Sequence, residues 1–452
     1  SDTPLCLNAK IDGALYPFQR KGVEFLVRNR RAYCADDMGL GKSIQALAVM
    51  DHFKTKWPFL VICPSILSAT WRANIIRWLD LNEDDVCVIS TVRSGSVNFV
   101  SNKNAYIITY NLMSINHVCS RLLNEKFEMM IFDEAHYIKT GRSKRTKSAL
   151  KLGAKCDVVL LLSGTPFSYP LGMFSQMKLL YPDLYPKLFN YNEQDRHSFA
   201  GRYCQPKMKL LSNDTIWDMR GYDRKLELHA VLSTFMLRRT KVETLGELPK
   251  KTRRIRELPR TRELDGSKGL DFMEQFRATA TVKIKTITAD LITILHECSL
   301  ADHGVVVFAH HKKMLDHIES VVTDQKFPYF RIDGKTSKQN RTKYENTFQR
   351  GSGFGVFLLS ITAACTGITL TRANRVVFTE IMFSPDSVLQ AEDRVHRIGQ
   401  TKPVDIYYVI QPGSVDETNW SMIQKKYHNV SLIIENKHKQ LSTTRETPPH
   451  AT

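Results

Sequence analysis

The stretch Asp36–Ser43 contains the residue types that bind the phosphates of a nucleotide. It follows the apolar residues Ala32–Ala35 and leads directly into a helical pattern. Glycines allow backbone N–H groups to surround phosphates, and the start of a helix adds partial positive charge. Lys42 would reach the β- and γ-phosphates, and the Ser43 hydroxyl would bind Mg²⁺. The usual GxxxxGK[ST] pattern begins with glycine, whereas this chain has Asp36 at that position.

Two carboxylates, Asp133 and Glu134, follow the apolar run Met129–Phe132, where a strand should end. Asp133 could hold Mg²⁺, and Glu134 could orient and deprotonate the attacking water. An acidic pair alone would also be compatible with a solvated turn. Because this pair follows a Lys-Ser loop in the expected order, we predict an ATP site with Mg²⁺. The loop residues expected to contact ATP are Asp37, Met38, Gly39, Leu40, Gly41, Lys42 and Ser43.

Short apolar runs that alternate with amphipathic stretches must position these residues. In the first 165 residues the runs are Phe59–Cys63, Tyr106–Thr109, Met129–Phe132 and Val158–Leu162. After residue 304 the runs are Val305–Phe308, Val356–Leu359, Val376–Phe378 and Val404–Val409. Each run suits a strand that is buried on both faces, as in a parallel sheet covered by helices. We therefore predict an α/β protein with two lobes.

The segment between the lobes differs in character from both. Pro249–Arg262 contains seven Lys or Arg among fourteen residues, together with two prolines, and is predicted to be an extended basic connection. We expect a first lobe over 1–240 with a helical insertion at about 170–240. A basic linker and helical protrusion should follow over 241–303, then a second lobe over 304–435 and a disordered tail over 436–452.

Composition limits the classes of partner. The 452 residues include 64 Lys and Arg against 46 Asp and Glu, a net charge of +18. This balance favours a polyanionic partner such as nucleic acid, although a merely basic soluble surface is the alternative. No apolar run approaches the ~18 residues of a membrane span, so no membrane association is expected. The nine cysteines lack zinc-site spacing and are interpreted as buried apolar residues in a reducing compartment. The first residue is not Met, so we expect a fragment of a longer protein.

Three motifs resemble those of superfamily 2 helicases, and specifically the SWI/SNF-type DNA translocases. They are Tyr16–Gln19, Leu162–Pro166, which resembles the motif counted third in that superfamily and is called the third motif below, and the eleven-residue string Gln390–Gln400. The resemblance implies two RecA-like lobes with helical insertions between the third and fourth motifs. It also implies that Gln19 contacts adenine and that Gly367 contributes to the ATP site. Arg394 and Arg397 are expected on one face of a helix, where they could act as arginine fingers when the lobes close.

Within this family the chain looks most like the HARP-type annealing helicases, which remodel replication forks. The similarity covers roughly residues 10 to 430 and rests on Ala35–Gln45, Phe199–Cys204, Trp217–Asp218, Met236–Arg239, Val307–Lys312, Arg331–Gly334 and Ser360–Ala364. Phe383–Pro385 departs from the Trp-Asn-Pro that is common in the family. By resemblance, the residues expected to contact DNA are Pro64, Ser65, Thr109, Thr165, His310, His311, Lys312, Lys335 and Thr362. Most such contacts should be to phosphate and sugar.

These motifs indicate a DNA-dependent ATPase that translocates on double-stranded DNA and acts on branched DNA. An RNA helicase is disfavoured, because those families usually carry Ser-Ala-Thr where this chain has Ser163-Gly164-Thr165. A nucleosome-remodelling ATPase remains an alternative, and so does a catalytically inactive DNA-binding scaffold. Lys144–Lys147 could contact phosphate or direct nuclear import, but a solvated helix face is the simpler interpretation. We expect a monomer, located in the nucleus if the source is eukaryotic, whose targeting partner is not identified by the sequence.

Overall fold

The computed structural model describes residues 4–91, 97–182, 198–211, 214–244, 248–264, 269–364 and 367–446. By its internal contacts the chain divides into two compact units. The first comprises Ser1–Thr244 and Asn429–His438, and the second comprises Leu245–His428 and Lys439–Thr452. Among the described residues, no helix has the length and apolar character that crossing a membrane would require.

A seven-stranded sheet forms the centre of the first unit, and its neighbouring strands all run parallel. The strands of this unit are β1 (Arg31–Cys34), β2 (Phe59–Cys63), β3 (Val86–Val88), β4 (Ser90–Thr91), β5 (Val97–Asn98), β6 (Ala105–Thr109), β7 (Met129–Asp133), β8 (Val158–Leu162), β9 (Lys207–Leu211), β10 (Asp214–Asp218) and β11 (Met236–Leu237). The sheet order is β11-β1-β8-β7-β2-β6-β3, while β4–β5 and β9–β10 are antiparallel pairs.

Helices cover both faces of this sheet. They are α1 (Ala9–Asp12), α2 (Pro17–Asn29), α3 (Lys42–His52), α4 (Ser68–Leu79), α5 (Tyr110–Met113), α6 (Asn116–Asn124), α7 (Lys144–Gly153), α8 (Leu171–Leu180), α9 (Phe199–Tyr203), α10 (Lys225–Ser233) and α11 (Lys241–Thr244). Along β2, Leu60 and Ile62 belong to one apolar cluster, whereas Phe59 and Val61 belong to another. Successive side chains of a strand point to opposite faces, so both faces are apolar and the strand is a continuous apolar run.

The second unit also contains a parallel seven-stranded sheet, with the order β14-β15-β13-β16-β17-β12-β18. Its strands are β12 (Lys251–Glu257), β13 (Gly304–Ala309), β14 (Tyr329–Ile332), β15 (Gly355–Ser360), β16 (Ala373–Phe378), β17 (Val404–Ile410) and β18 (Thr444–Glu446). Its helices are α12 (Phe272–Leu300), α13 (Lys312–Asp324), α14 (Lys338–Arg350), α15 (Ile361–Ala364), α16 (Pro385–Glu392) and α17 (Val415–Glu435). The predicted α/β class with two parallel-sheet lobes is confirmed.

The basic segment expected to be a connection contains β12, a strand inside the second sheet. Its cations are accommodated because carboxylates of the same unit pair with them. Arg253 and Lys251 pair with Glu392 at 2.6 and 2.8 Å, and Arg256 lies 3.2 Å from Asp290. This charged segment therefore forms a strand because its cations pair with buried carboxylates.

Two further segments differ from the expected boundaries. The end of α17, from Asn429, belongs to the first unit, although it was expected within the second lobe. The chain then contributes β18 to the second sheet in a region expected to be a disordered tail, and residues 447–452 lie outside the described ranges. The insertion at about 170–240 is not purely helical, since it also contains the β9–β10 pair. Of the eight cysteines described, Cys6 is exposed rather than buried.

Candidate functional site

The predicted phosphate loop connects β1 to α3 at the carboxyl end of the first sheet. Gly39 and Gly41 have φ angles of 85° and 76°, in the left-handed region that glycine adopts without strain. Lys42 begins α3, and its Nζ donates hydrogen bonds to the carbonyl oxygens of Asp36 (2.9 Å) and Asp37 (3.3 Å). The ammonium group therefore lies folded back onto the loop.

The two acidic residues lie at the end of β7, which is separated from β1 by β8. Asp133 is the last residue of the strand, and Glu134 has a φ angle of 53° that turns the chain after it. The Asp133 carboxylate accepts hydrogen bonds from Nε1 of Trp71 (2.8 Å) and from the backbone N–H of Glu134 (3.0 Å). Tyr110 donates its hydroxyl proton to the Asp133 carbonyl oxygen at 2.8 Å. Trp71 and Tyr110 hold the acidic residue in place, and the sequence analysis did not identify them.

The electrostatics at Asp133 fit the predicted Mg²⁺ role. Burial and the neighbouring charge of Glu134 raise the pKa of Asp133 to about 6, while the Trp71 hydrogen bond and the Lys42 charge act in the opposite direction. A buried carboxylate beside another carboxylate favours an added cation. Carboxylate and hydroxyl oxygens are ligands that Mg²⁺ accepts, so Asp133 and Ser43 form a suitable donor set.

Ser163, which follows β8, connects the acidic residues to the third motif. Its Oγ lies 3.0 Å from Nδ1 of His136 and 3.4 Å from Oε2 of Glu134. The same imidazole nitrogen is 3.2 Å from the Glu134 carboxylate. Ser163 Oγ also accepts a hydrogen bond from the backbone N–H of Thr165 (3.2 Å). A displacement of the chain at Thr165 would therefore act on the carboxylate predicted to activate water.

Arg238 fastens the phosphate loop from the end of β11. Its guanidinium lies 2.6 Å from a carboxylate oxygen of Asp37 and donates to the carbonyl oxygen of Gly164 (3.2 Å). It also donates two hydrogen bonds, of 3.0 and 2.8 Å, to Oε1 of Glu435 at the end of α17. Burial raises the pKa of Asp37, but the Arg238 charge, the hydrogen bond from the Lys241 backbone N–H and the nearby lysine charges together outweigh it, so the net pKa is lowered. Local sequence signals could not identify this role, because Glu435 is 197 positions away from Arg238 and Gly164 is 74 positions away.

Gln19, the residue expected to contact adenine, lies against the phosphate loop. Its Nε2 donates a hydrogen bond to the carbonyl oxygen of Leu40 (3.0 Å), and its Oε1 accepts one from the backbone N–H of Tyr16 (3.0 Å). The side chain is buried, with 3% of its surface exposed. The structure thus brings Gln19 together with the loop residues that were predicted to bind ATP.

Arg394 and Arg397 lie in turns that follow α16, not on one face of a helix as predicted. Beyond Glu392 the backbone forms turns, in which the Arg394 N–H donates to the Ala391 carbonyl oxygen (3.1 Å). The Arg394 carbonyl oxygen accepts a tertiary hydrogen bond from the Leu370 N–H (2.8 Å) instead of one from a following helical turn. The two arginines are three positions apart in the chain, and burial, followed by the Arg394 charge, lowers the pKa of Arg397.

A carboxylate of α14 organises these arginines. Arg397 donates from Nη1 to the Thr369 hydroxyl (2.9 Å), and the Thr369 backbone N–H donates to Oε1 of Glu345 (2.7 Å). Burial raises the pKa of Glu345, while the charges of Arg397 and Arg394 oppose the increase. Glu345 and Thr369 were not identified from the sequence. Gly367 has a φ angle of 81° and lies two positions before Thr369.

The residues expected to contact DNA follow the carboxyl ends of strands in both sheets. In the first unit, Pro64 and Ser65 follow β2, Thr109 ends β6 and Thr165 follows β8. The Thr109 hydroxyl is engaged as a helix cap, because it accepts a hydrogen bond from the backbone N–H of Leu112 (3.3 Å). Each sheet therefore presents its candidate residues along one edge.

In the second unit, His310, His311 and Lys312 follow β13, Lys335 follows β14, and Thr362 lies in α15. Glu380 accepts hydrogen bonds from the backbone N–H groups of His310 (2.6 Å) and His311 (2.9 Å). This carboxylate, which the sequence analysis missed, determines the conformation of the loop after β13.

Comparison with protein families gives two matches that together cover most of the chain. Residues 18–264 match the family described as the SNF2-related domain, and residues 286–399 match the helicase conserved C-terminal domain.

Curated relatives match almost the entire chain. A Xenopus laevis protein named SWI/SNF-related matrix-associated actin-dependent regulator of chromatin subfamily A-like protein 1 is 35% identical over 445 residues, which cover 93% of this chain and 44% of that protein. The human DNA annealing helicase and endonuclease ZRANB3 is 33% identical over 445 residues, which cover 92% of this chain and 40% of that protein. The chain thus spans less than half the length of these two relatives.

Among solved structures, the Sulfolobus solfataricus SWI2/SNF2 ATPase core in complex with dsDNA is similar over 96% of both chains. The TM-score is 0.47 and the sequence identity is 23%.

Proposed function

This chain belongs to the SNF2-related family, and on that premise we propose that it is a DNA-dependent ATPase that translocates on double-stranded DNA. We further propose that it anneals or remodels branched DNA, such as a replication fork during DNA repair. Relatives over most of this chain include a protein named as a DNA annealing helicase, which supports this choice of substrate. A monomeric state and a nuclear location belong to the same proposal.

One observation carries the ATPase proposal: the hydrogen-bonded group formed by Glu134, His136 and Ser163. The loop of Lys42 follows β1, one neighbour of β8, and Glu134 follows β7, the other neighbour. Ser163 follows the strand between them, and a Cβ on the adjacent Gly164 would lie 3.4 Å from the Lys42 ammonium. Ser163 contacts the carboxylate predicted to activate water, and the next residue lies close to Lys42. This segment can therefore transmit the state of the nucleotide to the residues that follow it.

The residues of the first unit have distinct proposed tasks. Lys42 would neutralise charge on the β- and γ-phosphates, and Glu134 would accept a proton from the attacking water. Asp133 and Ser43 would hold Mg²⁺, which neutralises phosphate charge when it is bound. Phosphoryl transfer depends mainly on positioning and charge neutralisation, and these residues supply both.

Arg394 and Arg397 are the proposed cations from the second unit. An arginine that stabilises the transferring phosphate can contribute ~10³-fold or more to the rate. The support for this task is their common environment, in which Glu345 and Thr369 orient the guanidinium of Arg397. If both units are needed to complete the site, hydrolysis is coupled to their movement, as a translocase requires.

Two other functions remain distinguishable by experiment. A nucleosome-remodelling ATPase would use the same motor and would be stimulated by nucleosomes more than by forked DNA. An inactive DNA-binding scaffold would bind DNA without hydrolysing ATP.

Steady-state ATP hydrolysis provides the test. Rates are measured without nucleic acid and with duplex DNA, single-stranded DNA, forked DNA, nucleosomes and duplex RNA. Lys42→Ala and Glu134→Gln serve as the inactive variants, and Lys21→Ala, an exposed residue of α2, is the matched control. We expect the strongest stimulation with forked DNA and no stimulated hydrolysis in the two variants.

The contrary outcomes are specific. Stimulation by duplex RNA alone would refute the DNA assignment. A larger response to nucleosomes than to forks would favour the remodelling alternative, and DNA binding without any ATP turnover would establish the scaffold.

A further inference from the structure

A cavity of about 800 Å³ lies in the first unit, outside the phosphate site. Three segments and Ala200 line it, and the segments are Lys139–Arg142, Ser168–Gly172 and Ile216–Arg220. Lys139–Arg142 follows the turn Ala135–Ile138, which comes directly after the acidic residues Asp133 and Glu134. Ser168–Gly172 begins two residues after Pro166, the last residue of the third motif. Both motifs that couple to ATP thus continue directly into the cavity wall.

The wall of this cavity combines positive charge with aromatic rings. Lys139 and Arg142 are exposed, and within the described part of the chain their side chains form no ion pair. Arg220 pairs with Asp218 at 2.8 Å, and Lys209 pairs with the same carboxylate at 2.8 Å. Of the four charged groups that line the cavity, three are cations and one is an anion, and Lys209 adds a further cation through its pair with Asp218, so the local charge is positive.

Aromatic rings lie among these charges. Tyr169 and Trp217 both line the cavity, and the ring of Tyr169 lies 5.8 Å from that of Tyr222. Aromatic side chains between cations provide surfaces for nucleobases and partners for phosphates, the combination found in proteins that bind single strands.

The β9–β10 hairpin extends this surface with exposed apolar side chains. Leu210 is 90% exposed, Met208 is 61% exposed and Ile216 is 44% exposed. Met208 is directly opposite Trp217, and Lys209 is directly opposite Ile216. Directly opposed residues of an antiparallel pair share a face, as do residues two positions apart on one strand. Met208, Leu210 and Trp217 therefore lie on the same face of the hairpin. Isolated apolar side chains on a surface are common, but such a group beside an aromatic, cationic cavity indicates a binding surface.

We propose that the cavity and the adjoining hairpin bind an unpaired strand of branched DNA. This inference rests on the proposed function and specifies where one of its substrates is held. Bases stack on Trp217 and Tyr169, while Lys139 and Arg142 contact the backbone phosphates. The positive charge excludes a cationic or purely apolar ligand, and the aromatic surface favours exposed bases over a duplex, whose bases are already stacked.

The first test is binding of fluorescent (dT)20 and of a blunt 20-base-pair duplex to the full chain. Two variants are compared with the unaltered protein: Lys139→Glu/Arg142→Glu and Trp217→Ala. Lys151→Glu/Lys155→Glu introduces the same charge change at exposed positions of the first unit outside this cavity and is the matched control. We expect affinity for (dT)20 to fall about tenfold or more in both variants, the loss typical of one stacking contact or two phosphate contacts. Affinity for the duplex should change less than threefold.

The second test identifies the contact directly. Single strands that carry 5-iodouracil are irradiated with the unaltered protein, and the crosslinked peptides are identified by mass spectrometry. Crosslinks to Tyr169 or Trp217 support the proposal. Crosslinks confined to other segments overturn it.

Outcomes that concern the motor are separable from those that concern the cavity. If the unaltered chain shows no DNA-stimulated ATP hydrolysis, the proposed function fails, whereas strand binding at the cavity can still be measured. If both variants bind (dT)20 as the control does, the cavity proposal fails and the motor stands. A further outcome concerns an acidic aromatic peptide. If this peptide binds the unaltered chain, and the charge variant loses peptide binding but keeps (dT)20 binding, the cavity belongs to a protein partner and the proposal is overturned.

Discussion

The carboxylate of Asp36 and the guanidinium of Arg239 form a buried ion pair at the first position of the phosphate loop. Asp36 accepts hydrogen bonds at Oδ1 from the backbone N–H (3.1 Å) and Nε (3.0 Å) of Arg239. At Oδ2 it accepts one from Nε2 of Gln45 (3.1 Å). The departure from the glycine of the usual pattern therefore has a structural reason: this residue anchors the loop to a segment 203 positions later.

Replacement of Asp36 by glycine would restore the usual sequence pattern and yet destabilise the protein. The substitution leaves Arg239 largely buried without its carboxylate, and removal of one partner of a buried pair costs about 3–5 kcal/mol. We expect the free energy of unfolding in urea to fall by about that amount. In the double variant Asp36→Gly/Arg239→Met part of the loss should be recovered, because no unpaired charge remains. A loss below about 1 kcal/mol in the single variant would contradict the anchoring role.

Ser163→Ala should weaken the connection between the third motif and the acidic residues. The hydroxyl contacts Glu134 and His136, and hydrogen bonds to charged groups contribute about 1.5–3 kcal/mol. We expect kcat for ATP hydrolysis to fall about tenfold or more, with the DNA-stimulated rate affected more than the basal rate. The comparison is with Ser114→Ala, whose hydroxyl donates only to a local carbonyl oxygen. An increase in KM for ATP at constant kcat would show that the hydroxyl acts on binding instead.

Glu435→Gln tests whether the end of α17 helps to hold the phosphate loop. The substitution removes the charge that receives two hydrogen bonds from Arg238, the residue that also binds Asp37 and the carbonyl oxygen of Gly164. We expect kcat/KM for ATP to fall about tenfold, the equivalent of about 1.4 kcal/mol. Glu243→Gln is the matched control. It removes an exposed ion pair with Lys437, two residues after Glu435, and should leave kcat/KM unchanged. Equal effects of the two variants would mean that α17 contributes only stability.

The strands were predictable because their burial on both faces produces continuous apolar runs. Phe59–Cys63 and Val158–Leu162 coincide with β2 and β8, and the run before Asp133 coincides with β7. β12 was not predictable in this way, since its side chains are stabilised by ion pairs with residues such as Glu392 and Asp290 that are more than 30 positions away. Local composition does not contain that information.

The candidate site also contains some features that the local sequence predicts and others that depend on distant contacts. Loop residues such as Lys42 follow from spacing, because the phosphate-binding geometry is local to one strand, loop and helix. Arg238 and Trp71 hold the site through contacts with distant segments. Met236–Arg239 was noted for its family resemblance, but the local sequence does not indicate what Arg238 or Trp71 contacts. The helix predicted for Arg394 and Arg397 was wrong because the Arg394 carbonyl oxygen accepts its hydrogen bond from the backbone N–H of Leu370, a tertiary contact that the local pattern does not contain.

Glu392 is the residue from which a pH dependence follows. It is fully buried and accepts hydrogen bonds from Arg253 (2.6 Å), Lys251 (2.8 Å) and the Tyr408 hydroxyl (2.5 Å). Burial alone would raise the pKa of Glu392, but the charges of Arg253 and Lys251 hold it well below its usual range. Because the folded pKa is depressed, the carboxylate stabilises the fold fully above its unfolded pKa of about 4.3. That stabilisation is lost as pH falls through the folded pKa.

Glu392→Gln should therefore lower the free energy of unfolding most at neutral pH. We expect a loss of about 3 kcal/mol or more at pH 7, since the substitution leaves Arg253 and Lys251 without their carboxylate. Below about pH 4 the difference between the two proteins should shrink by up to about 1.4 kcal/mol per pH unit, because the unaltered protein then loses the same interaction. Urea unfolding at a series of pH values between 7 and 3 measures both effects. Glu83→Gln removes an exposed pair with Arg72 and should change neither value appreciably. A difference that stays constant across this range would mean that Glu392 is not held charged by its two cations.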